Sequence, residues 1–562
     1  MSASPIQHAR RDVELGAAGR AVNIAERLTS AAQRTPNKAA VIVDRAGRGG
    51  EQATFSSLES DAARLAAGFQ QLGIRRGART IVMIRPGVDF FATTFALFKL
   101  GAVPVLIDPG MGRGNLVRCL AGVDAEAFIG IPLAHVMRVL YRTQFSRVKT
   151  CVTVGRRWFW SGARLADLRQ ANAGEFSATR TSPEDAAAIL FTSGSTGPAK
   201  GVLYTHGIFD AQVEYLRSHY GYSADEIDLA TFPLFALFDA ALGMTAVIPE
   251  MDASRPASAD PRKLVRAIRT HRCTHMFGSP ALVRNLARYG EESGERLATI
   301  KRVLTAGAPI PPELLISMKR MLPADAEIHT PYGATEALPV SDMRATQIDS
   351  ATAARTAHGG GTCVGRPLPG MDVRVIEIDD NPIERWRDAV ELPPGRIGEV
   401  VVSGPVVTAE YFRNLDATRL AKIIADDGAV RHRMGDVGYF DEQGRLWYCG
   451  RKSQRVVTQS EVLFTIPCEA VFNEHPRVRR TALVGVGMRG KQTPILCVEM
   501  ENDARTTDRS RIRRELLEIA GRFEHTRSIR TVNFVTRFPV DVRHNAKIFR
   551  EKLTVQAAKR SR

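Results

Sequence analysis

The chain has few cysteines and no pair of them arranged to hold a metal. Seven thiols (Cys119, Cys151, Cys273, Cys363, Cys449, Cys468, Cys497) are scattered over 562 residues, odd in number and free of any C-x-x-C spacing. That argues against a disulfide framework and a structural zinc site, and predicts reduced thiols in the cytoplasm. Long apolar runs are also missing. The nearest, from Phe90 to Ile107, is broken by Lys99, Gly101 and Pro104, so no membrane span is expected. Met1 to Gly19 is polar and charged, which predicts no secretory signal. Internal repeats, low-complexity tracts, nucleic-acid motifs and interleaved aromatic and basic residues are absent, so no nucleic-acid partner is expected.

What is present is an ordinary globular composition, 44% hydrophobic with a net charge of +17. The length suggests roughly two to four domains. Basic charge is concentrated late: residues 454–562 carry 22 Lys and Arg against 12 Asp and Glu. Such an excess suits an acidic partner or an anionic membrane surface, or simply solubility.

The pattern of apolar runs divides the chain. An amphipathic helix at 23–34, strand 39–43, strand 80–84, helix 88–100 and strand 103–107 follow a βαβ rhythm, with near-continuous apolar strands typical of covered parallel sheets. Further strands are expected at 186–191, 202–204, 274–277 and 303–306. After Gly370 the texture turns to short strands split by Pro-Gly and Asp-Glu-Gln-Gly turns, a β-rich piece over about 371–449. A small α+β unit follows, with helices 467–473 and 508–520, strands 480–486, 494–500 and 531–535, and a frayed tail at 557–562. The boundary falls near Arg451-Lys452-Ser453, giving domains 1–450 and 451–562.

Chemistry is concentrated in Thr192-Ser193-Gly194-Ser195-Thr196-Gly197-Pro198-Ala199-Lys200-Gly201. Glycines let backbone N–H groups approach phosphate oxygens, the hydroxyls add donors, and Lys200 adds charge. This is not a Walker A loop, because Lys200 follows Gly197 by three residues and Gly201 stands where a magnesium-binding Ser or Thr would be. Four other segments supply what a nucleotide site needs. Ala306-Gly307-Ala308 offers a small-residue shelf for a flat base. Tyr332-Gly333-Ala334-Thr335-Glu336 offers an aromatic face, a hydroxyl and a carboxylate able to take magnesium. Asp436, after Gly435, suits ribose hydroxyls, and Lys547 lies near the C-terminus. Taken singly, Glu336 could be a surface acid, Asp436 a turn residue and Lys547 one of many solvated bases.

In this order and spacing, from about Asn23 to about Leu553, the segments resemble the acyl-adenylate-forming superfamily of acyl-CoA synthetases, luciferases and peptide-synthetase adenylation domains. The resemblance implies an α/β fold: a large N-terminal domain of two βαβ-layered sheets plus a β-barrel-like subdomain, and a small mobile α+β C-terminal lid. It implies ATP and Mg²⁺ as cofactors, with Glu336 on the metal. Thr192, Ser193, Gly194, Ser195, Thr196, Gly197 and Lys200 would handle the β- and γ-phosphates, and Ala306, Gly307, Ala308, Tyr332 and Gly333 the adenine. Thr335 would hold the α-phosphate and Asp436 with Arg451 the ribose. Lys547 would bridge the substrate carboxylate and the α-phosphate.

Three departures narrow the expectation. Ala236, in Pro233-Leu234-Phe235-Ala236, stands where many acyl-CoA synthetases have histidine. Its apolar surroundings suit a fatty chain, with Phe235, Ala236, Phe277 and Gly278 as candidate contacts, although the stretch reads equally as core helix. Ser453 occupies the usual hinge Asp or Lys position. Val456 to Glu461 lacks the glycine that admits a pantetheine arm. Locally, the 191–202, 330–340 and 449–456 segments resemble the β-lactone synthetases of bacterial long-chain olefin biosynthesis. That resemblance implies adenylation of a 2-alkyl-3-hydroxyalkanoic acid and attack of its own 3-hydroxyl. The resemblance also implies a complex with a reductase and a β-lactone decarboxylase, and the basic C-terminal surplus offers a surface either for such partners or for peripheral membrane contact. A fatty acyl-CoA or acyl-AMP ligase, or a degenerate scaffold subunit, stays open. His206 is a candidate base for the hydroxyl, and a buried structural role is its alternative.

Overall fold

The computed structural model describes residues 22–45, 50–170, 176–192, 198–501, 508–540 and 548–560. Two seven-stranded sheets dominate the first half. One runs in the order Ala163–Arg164, Thr150–Thr153, Ala127–Gly130, Arg79–Met83, Val103–Leu106, Ala186–Phe191, Gly201–Thr205. All its pairs are parallel except the last, a hairpin between Ala186–Phe191 and Gly201–Thr205. The other runs Glu327–His329, Arg302–Thr305, His275–Gly278, Ile227–Leu229, Thr245–Ile248, Ala39–Val43, Gln52–Thr54, again parallel but for its final antiparallel edge.

One hydrophobic core is shared by the facing sides of both sheets and by helices Ala25–Arg34, Phe55–Gln71 and Val88–Leu100. Val88–Leu100 is apolar on every face because it is buried all round, and Gly101 in the left-handed region ends it. Of its two charges, Asp89 in the first turn pairs with Arg169 at 2.6 Å, and Lys99 is buried and neutralised by Glu59 at 2.5 Å. Separate cores cover the outer faces of the two sheets.

The β-rich piece is an antiparallel six-stranded sheet of Thr362–Cys363, Leu446–Arg451, Val430–Phe440, Gly398–Ser403 and Asp372–Ile376, with Lys422–Ile424 added beside Val430–Phe440. A three-stranded sheet of Tyr332–Ala334, Ala337–Asp342 and Arg366–Pro367 adjoins it. The barrel-like expectation is therefore corrected: among the described residues these sheets stay open, because Asp372–Ile376 and Thr362–Cys363 end the larger one without pairing to each other.

The C-terminal part builds its own cores on Val478–Val486, Thr493–Met500 and Thr531–Val535, with helices Thr465–Asn473, Arg509–Arg522 and Arg550–Arg560. The frayed tail is also corrected. Helix Arg550–Arg560 covers 557–560 of it, since Leu553 and Ala557 bury themselves on the sheet, and 561–562 lie outside the described residues.

Candidate active site

The glycine- and hydroxyl-rich loop is the tip of the hairpin at the edge of the first sheet. Thr192 and Lys200 close its base reciprocally: the Thr192 amide donates to the Lys200 carbonyl at 3.0 Å, and the Lys200 amide donates to Thr192 Oγ1 at 3.1 Å. Ser193, Gly194, Ser195, Thr196 and Gly197 lie outside the described residues. Lys200 then points its Nζ over the Tyr411 ring, 4.6 Å from the centroid.

Tyr411 links this cation to the acid. Its hydroxyl donates to Glu336 Oε1 at 2.5 Å, and burial beside that carboxylate pushes the phenol well up. Thr408 fixes Glu336 from behind, donating to its carbonyl through the amide (2.9 Å) and through Oγ1 (3.0 Å). Lys422 in turn donates to the Thr408 carbonyl and, at 3.2 Å, to Thr408 Oγ1. Burial pulls the Lys422 ammonium down from 10.5 to about 7, opposed by the Glu336 charge. The Tyr204 hydroxyl holds the Thr335 carbonyl at 2.5 Å. Lys200 and the Thr335-Glu336 pair are thus joined through a third stretch of chain that carries Thr408, Tyr411 and Lys422. Thr408, Tyr411 and Lys422 are functional candidates that the sequence reading missed.

A second group lies where the small sheet meets the large antiparallel one. Asp436 pairs in register with Arg451 on the neighbouring strand, at 2.9 Å between side chains, and accepts the Tyr332 hydroxyl at 2.7 Å. Only 4% exposed, Asp436 keeps Arg451 fully charged. Gly333 is required by its neighbours, since a Cβ would stand 2.6 Å from the Ala337 carbonyl oxygen. Ala306, Gly307 and Ala308 leave the C-terminal end of strand Arg302–Thr305, next to the strand leading into Tyr332, and Gly307 turns at φ +101°. Ligands of parallel α/β sheets bind outside such strand ends. Thr305, fully buried there, has an Oγ1 with no partner among the described residues.

Phe277 and Gly278 end the adjacent strand, in register with Leu304 and Thr305. Phe277 packs against Phe235 of helix Pro233–Leu242 at 4.8 Å, and Phe232 joins them, forming a half-buried aromatic patch. Ala236 faces inward, 1% exposed, in the shared core. Beneath the patch lies a buried acid pair, Asp228 and Asp239. Burial and the Asp228 charge hold Asp239 protonated, while burial with the nearby Glu226 charge raises Asp228, opposed by the hydrogen bond from Asp239. One acid inside an otherwise apolar Phe232–Gly243 run was the sequence signal for that pair.

At the C-terminal end, Lys547 lies outside the described residues, but its anchor does not. Ile548 bridges Val540, and the Phe549 amide donates to the Pro539 carbonyl at 2.9 Å. Arg550 reaches both oxygens of buried Glu469, at 2.6 and 2.7 Å. The charges of Glu469 and Arg550 reach Tyr448, whose ring is 6.2 Å from Tyr332. At the proposed boundary Lys452 is tied to buried Glu399 at 2.9 Å, while Ser453 is exposed. The segment after it is a hairpin, Val456–Val457 against Val462–Leu463, whose turn is held by Thr458.

His206 is fully buried, accepts the Ile24 amide at 3.2 Å, and is driven down to about 4 by burial. That placement gives it a structural part, pinning the start of helix Ala25–Arg34.

No helix among the described residues is long and apolar enough to cross a membrane, and none of their side chains forms a cluster of three or more metal ligands. A single carboxylate is nevertheless ordinary for Mg²⁺ held jointly with substrate phosphates.

The parallel sheets, the clasped hydroxyl loop and the Tyr–Asp–Arg corner define an adenylate-forming enzyme: the chain belongs to the AMP-binding enzyme family, whose model matches residues 28–412. Within it, the chain is 48% identical over 551 residues to an olefin beta-lactone synthetase of Stenotrophomonas maltophilia, covering 96% of this chain and 98% of that one. It is 47% identical to an olefin beta-lactone synthetase of Xanthomonas campestris pv. campestris, covering 95% and 97%. In fold it resembles the amide bond synthetase McbA from Marinactinospora thermotolerans, with a TM-score of 0.75 at 24% identity, covering 95% of this chain and 98% of that one. An anthranilate CoA ligase in complex with anthranoyl-AMP matches with a TM-score of 0.78 at 18% identity, covering 96% and 98%.

Proposed function

We propose that this chain activates a long-chain 2-alkyl-3-hydroxyalkanoic acid with ATP and closes it to a β-lactone. A carboxylate oxygen attacks the α-phosphorus and the bond to pyrophosphate breaks. The 3-hydroxyl oxygen then attacks the acyl carbonyl, the carbon–oxygen bond to AMP breaks, and the hydroxyl proton is lost. The observation that carries the reading is near full-length identity of 48% and 47% to two olefin beta-lactone synthetases.

Lys200 and the loop hydroxyls take the phosphates, Tyr332 and Ala306–Ala308 flank the adenine, and Asp436 with Arg451 takes the ribose. The unpartnered Thr305 hydroxyl at the end of its strand suits a polar ligand edge. Glu336 would hold Mg²⁺, which supplies charge stabilisation at the phosphate oxygens. Tyr411 and Thr408 orient that carboxylate from two sides. Lys200 and Lys547 would meet the negative charge built on oxygen in the transition state. The half-buried Phe232, Phe235 and Phe277 patch supplies an apolar wall for the alkyl chains. Residues 451–562 form the lid, and its glycine-free hairpin leaves pantetheine no path, so the acceptor is the substrate's own hydroxyl.

A 3-deoxy analogue of the substrate separates the two half-reactions. With it, pyrophosphate release should stop after one turnover with acyl-AMP retained; continued turnover without a hydroxyl would overturn the intramolecular step.

A further inference from the structure

The strongest feature unused by the catalytic reading lies on the far edge of the first sheet, four strands from the hydroxyl loop. Residues 127–166 contain no Asp or Glu, yet carry Arg138, Arg142, Arg147, Lys149, Arg156, Arg157 and Arg164. The acids that bound this stretch are already engaged, Glu126 by Arg79 at 3.0 Å and Asp167 by Arg164 at 2.6 Å. The other six cations enter no ion pair among the described residues.

Large apolar side chains are exposed in the same region. Helix Pro132–Leu140 presents Leu133 (69% exposed) and Leu140 (74%), seven residues apart and so on one face. The loop after strand Thr150–Thr153 presents Trp158 (53%) and Phe159 (74%). Helix and loop are locked together from within. Buried Trp160 stacks on buried His135 of the helix at 5.2 Å and donates to Thr153 Oγ1 at 2.9 Å, and the Trp158 and Phe159 rings pack round it at 5.6 and 5.1 Å. The fold leaves this fixed Trp-Phe pair facing solvent directly after Arg156 and Arg157, within an acid-free basic stretch.

We infer that this edge, Leu133, Leu140, Trp158 and Phe159 on an acid-free, arginine-rich stretch, docks on an anionic lipid bilayer surface. Aromatic rings and leucines enter the interface while guanidinium groups meet phosphate headgroups. Charge decides for lipid over a protein partner: a stretch of forty residues free of acids complements a uniformly negative surface. The site's strand ends and the basic C-terminal part take no part in it.

Sedimentation of the full chain with mixed phosphatidylcholine–phosphatidylglycerol vesicles tests this. Wild type should sediment with them at low salt, sediment far less with pure phosphatidylcholine, and weaken by at least tenfold at about 1 M salt, where screening is about 3 Å. Trp158→Ser/Phe159→Ser and, separately, Arg142→Glu/Arg156→Glu should each lose at least tenfold in partitioning. Both variants change exposed side chains and should adenylate a short soluble 3-hydroxy acid at the wild-type rate, which certifies their fold. Failure of wild type to bind mixed vesicles, or wild-type binding by both variants, overturns the inference. A wild-type dimer in sedimentation velocity that Trp158→Ser/Phe159→Ser dissociates, without vesicle binding, would instead assign the patch to a second copy of the chain.

Discussion

Replacing Lys422 by methionine tests the support beneath Glu336 through a change of sign with pH. Methionine keeps the unbranched stem and removes the ammonium. The folded group sits at about 7 against an ordinary 10.5, because burial penalises its charge. The folded state therefore binds fewer protons than the unfolded chain between those values, so stability rises with pH across that window. Below pH 7 the full penalty is present, roughly 5 kcal/mol from the fall in proton affinity. The ammonium returns two hydrogen bonds to Thr408, about 1 kcal/mol each. Lys422→Met should then be more stable than wild type by about 3 kcal/mol near pH 6.5, and less stable by about 1 kcal/mol near pH 10, where a little of the penalty remains. Thermal midpoints of both proteins at the two pH values give the readout, and the reversal of sign carries it, since a chain with several cores does not unfold in one step. Adenylation should meanwhile slow about tenfold, because Thr408 no longer holds the Glu336 backbone against a fixed partner. A variant equally destabilised at both pH values would refute a buried, charge-penalised lysine.

Asp436→Asn strips the charge from a buried pair and leaves Arg451 uncompensated, which costs about 3–5 kcal/mol when such pairs are broken; kcat/KM for ATP should drop at least about a hundredfold, and an unchanged KM for ATP would remove Asp436 from the nucleotide site. Glu469→Gln keeps an acceptor for the Leu483 amide but weakens the hold on Arg550. Pyrophosphate exchange should fall about tenfold with equilibrium ATP binding intact, and equal losses in both would mean general unfolding instead. His206 is held neutral with its folded value depressed from 6.5 to about 4, so the stability it lends is present above 6.5 and lost as pH falls towards 4, at most roughly 3 kcal/mol. His206→Gln should flatten that acid slope in thermal midpoint while still releasing lactone; a variant stalled at acyl-AMP would make His206 the base after all.

The candidate phosphate loop stands out in the sequence because its chemistry is local: glycines, hydroxyls and one lysine within ten residues. The Asp436 and Arg451 roles were legible only through resemblance, yet their pairing across two strands follows from the register of an antiparallel sheet. Lys422 was invisible because Leu420-Ala421-Lys422-Ile423 reads as the exposed edge of a helix, and its burial depends on a strand partner ten residues on, His432. The first half of strand Val430–Phe440 does not read as a strand, because Arg433 hides in the core by pairing with Glu399 at 2.7 Å, a long-range neutralisation no local pattern carries. The tail was misjudged for the converse reason. Ala557 and Leu553 are sparse among charges, and only the sheet they cover explains the helix.

The central claim is that the activated acyl group is captured by its own 3-hydroxyl. Mass spectrometry of the product formed from ATP, a synthetic 2-alkyl-3-hydroxyalkanoic acid and excess CoA measures it directly. The predicted product is the acid less one water, as β-lactone, with one AMP and one pyrophosphate per turnover and no thioester. A CoA thioester as the main product would contradict it.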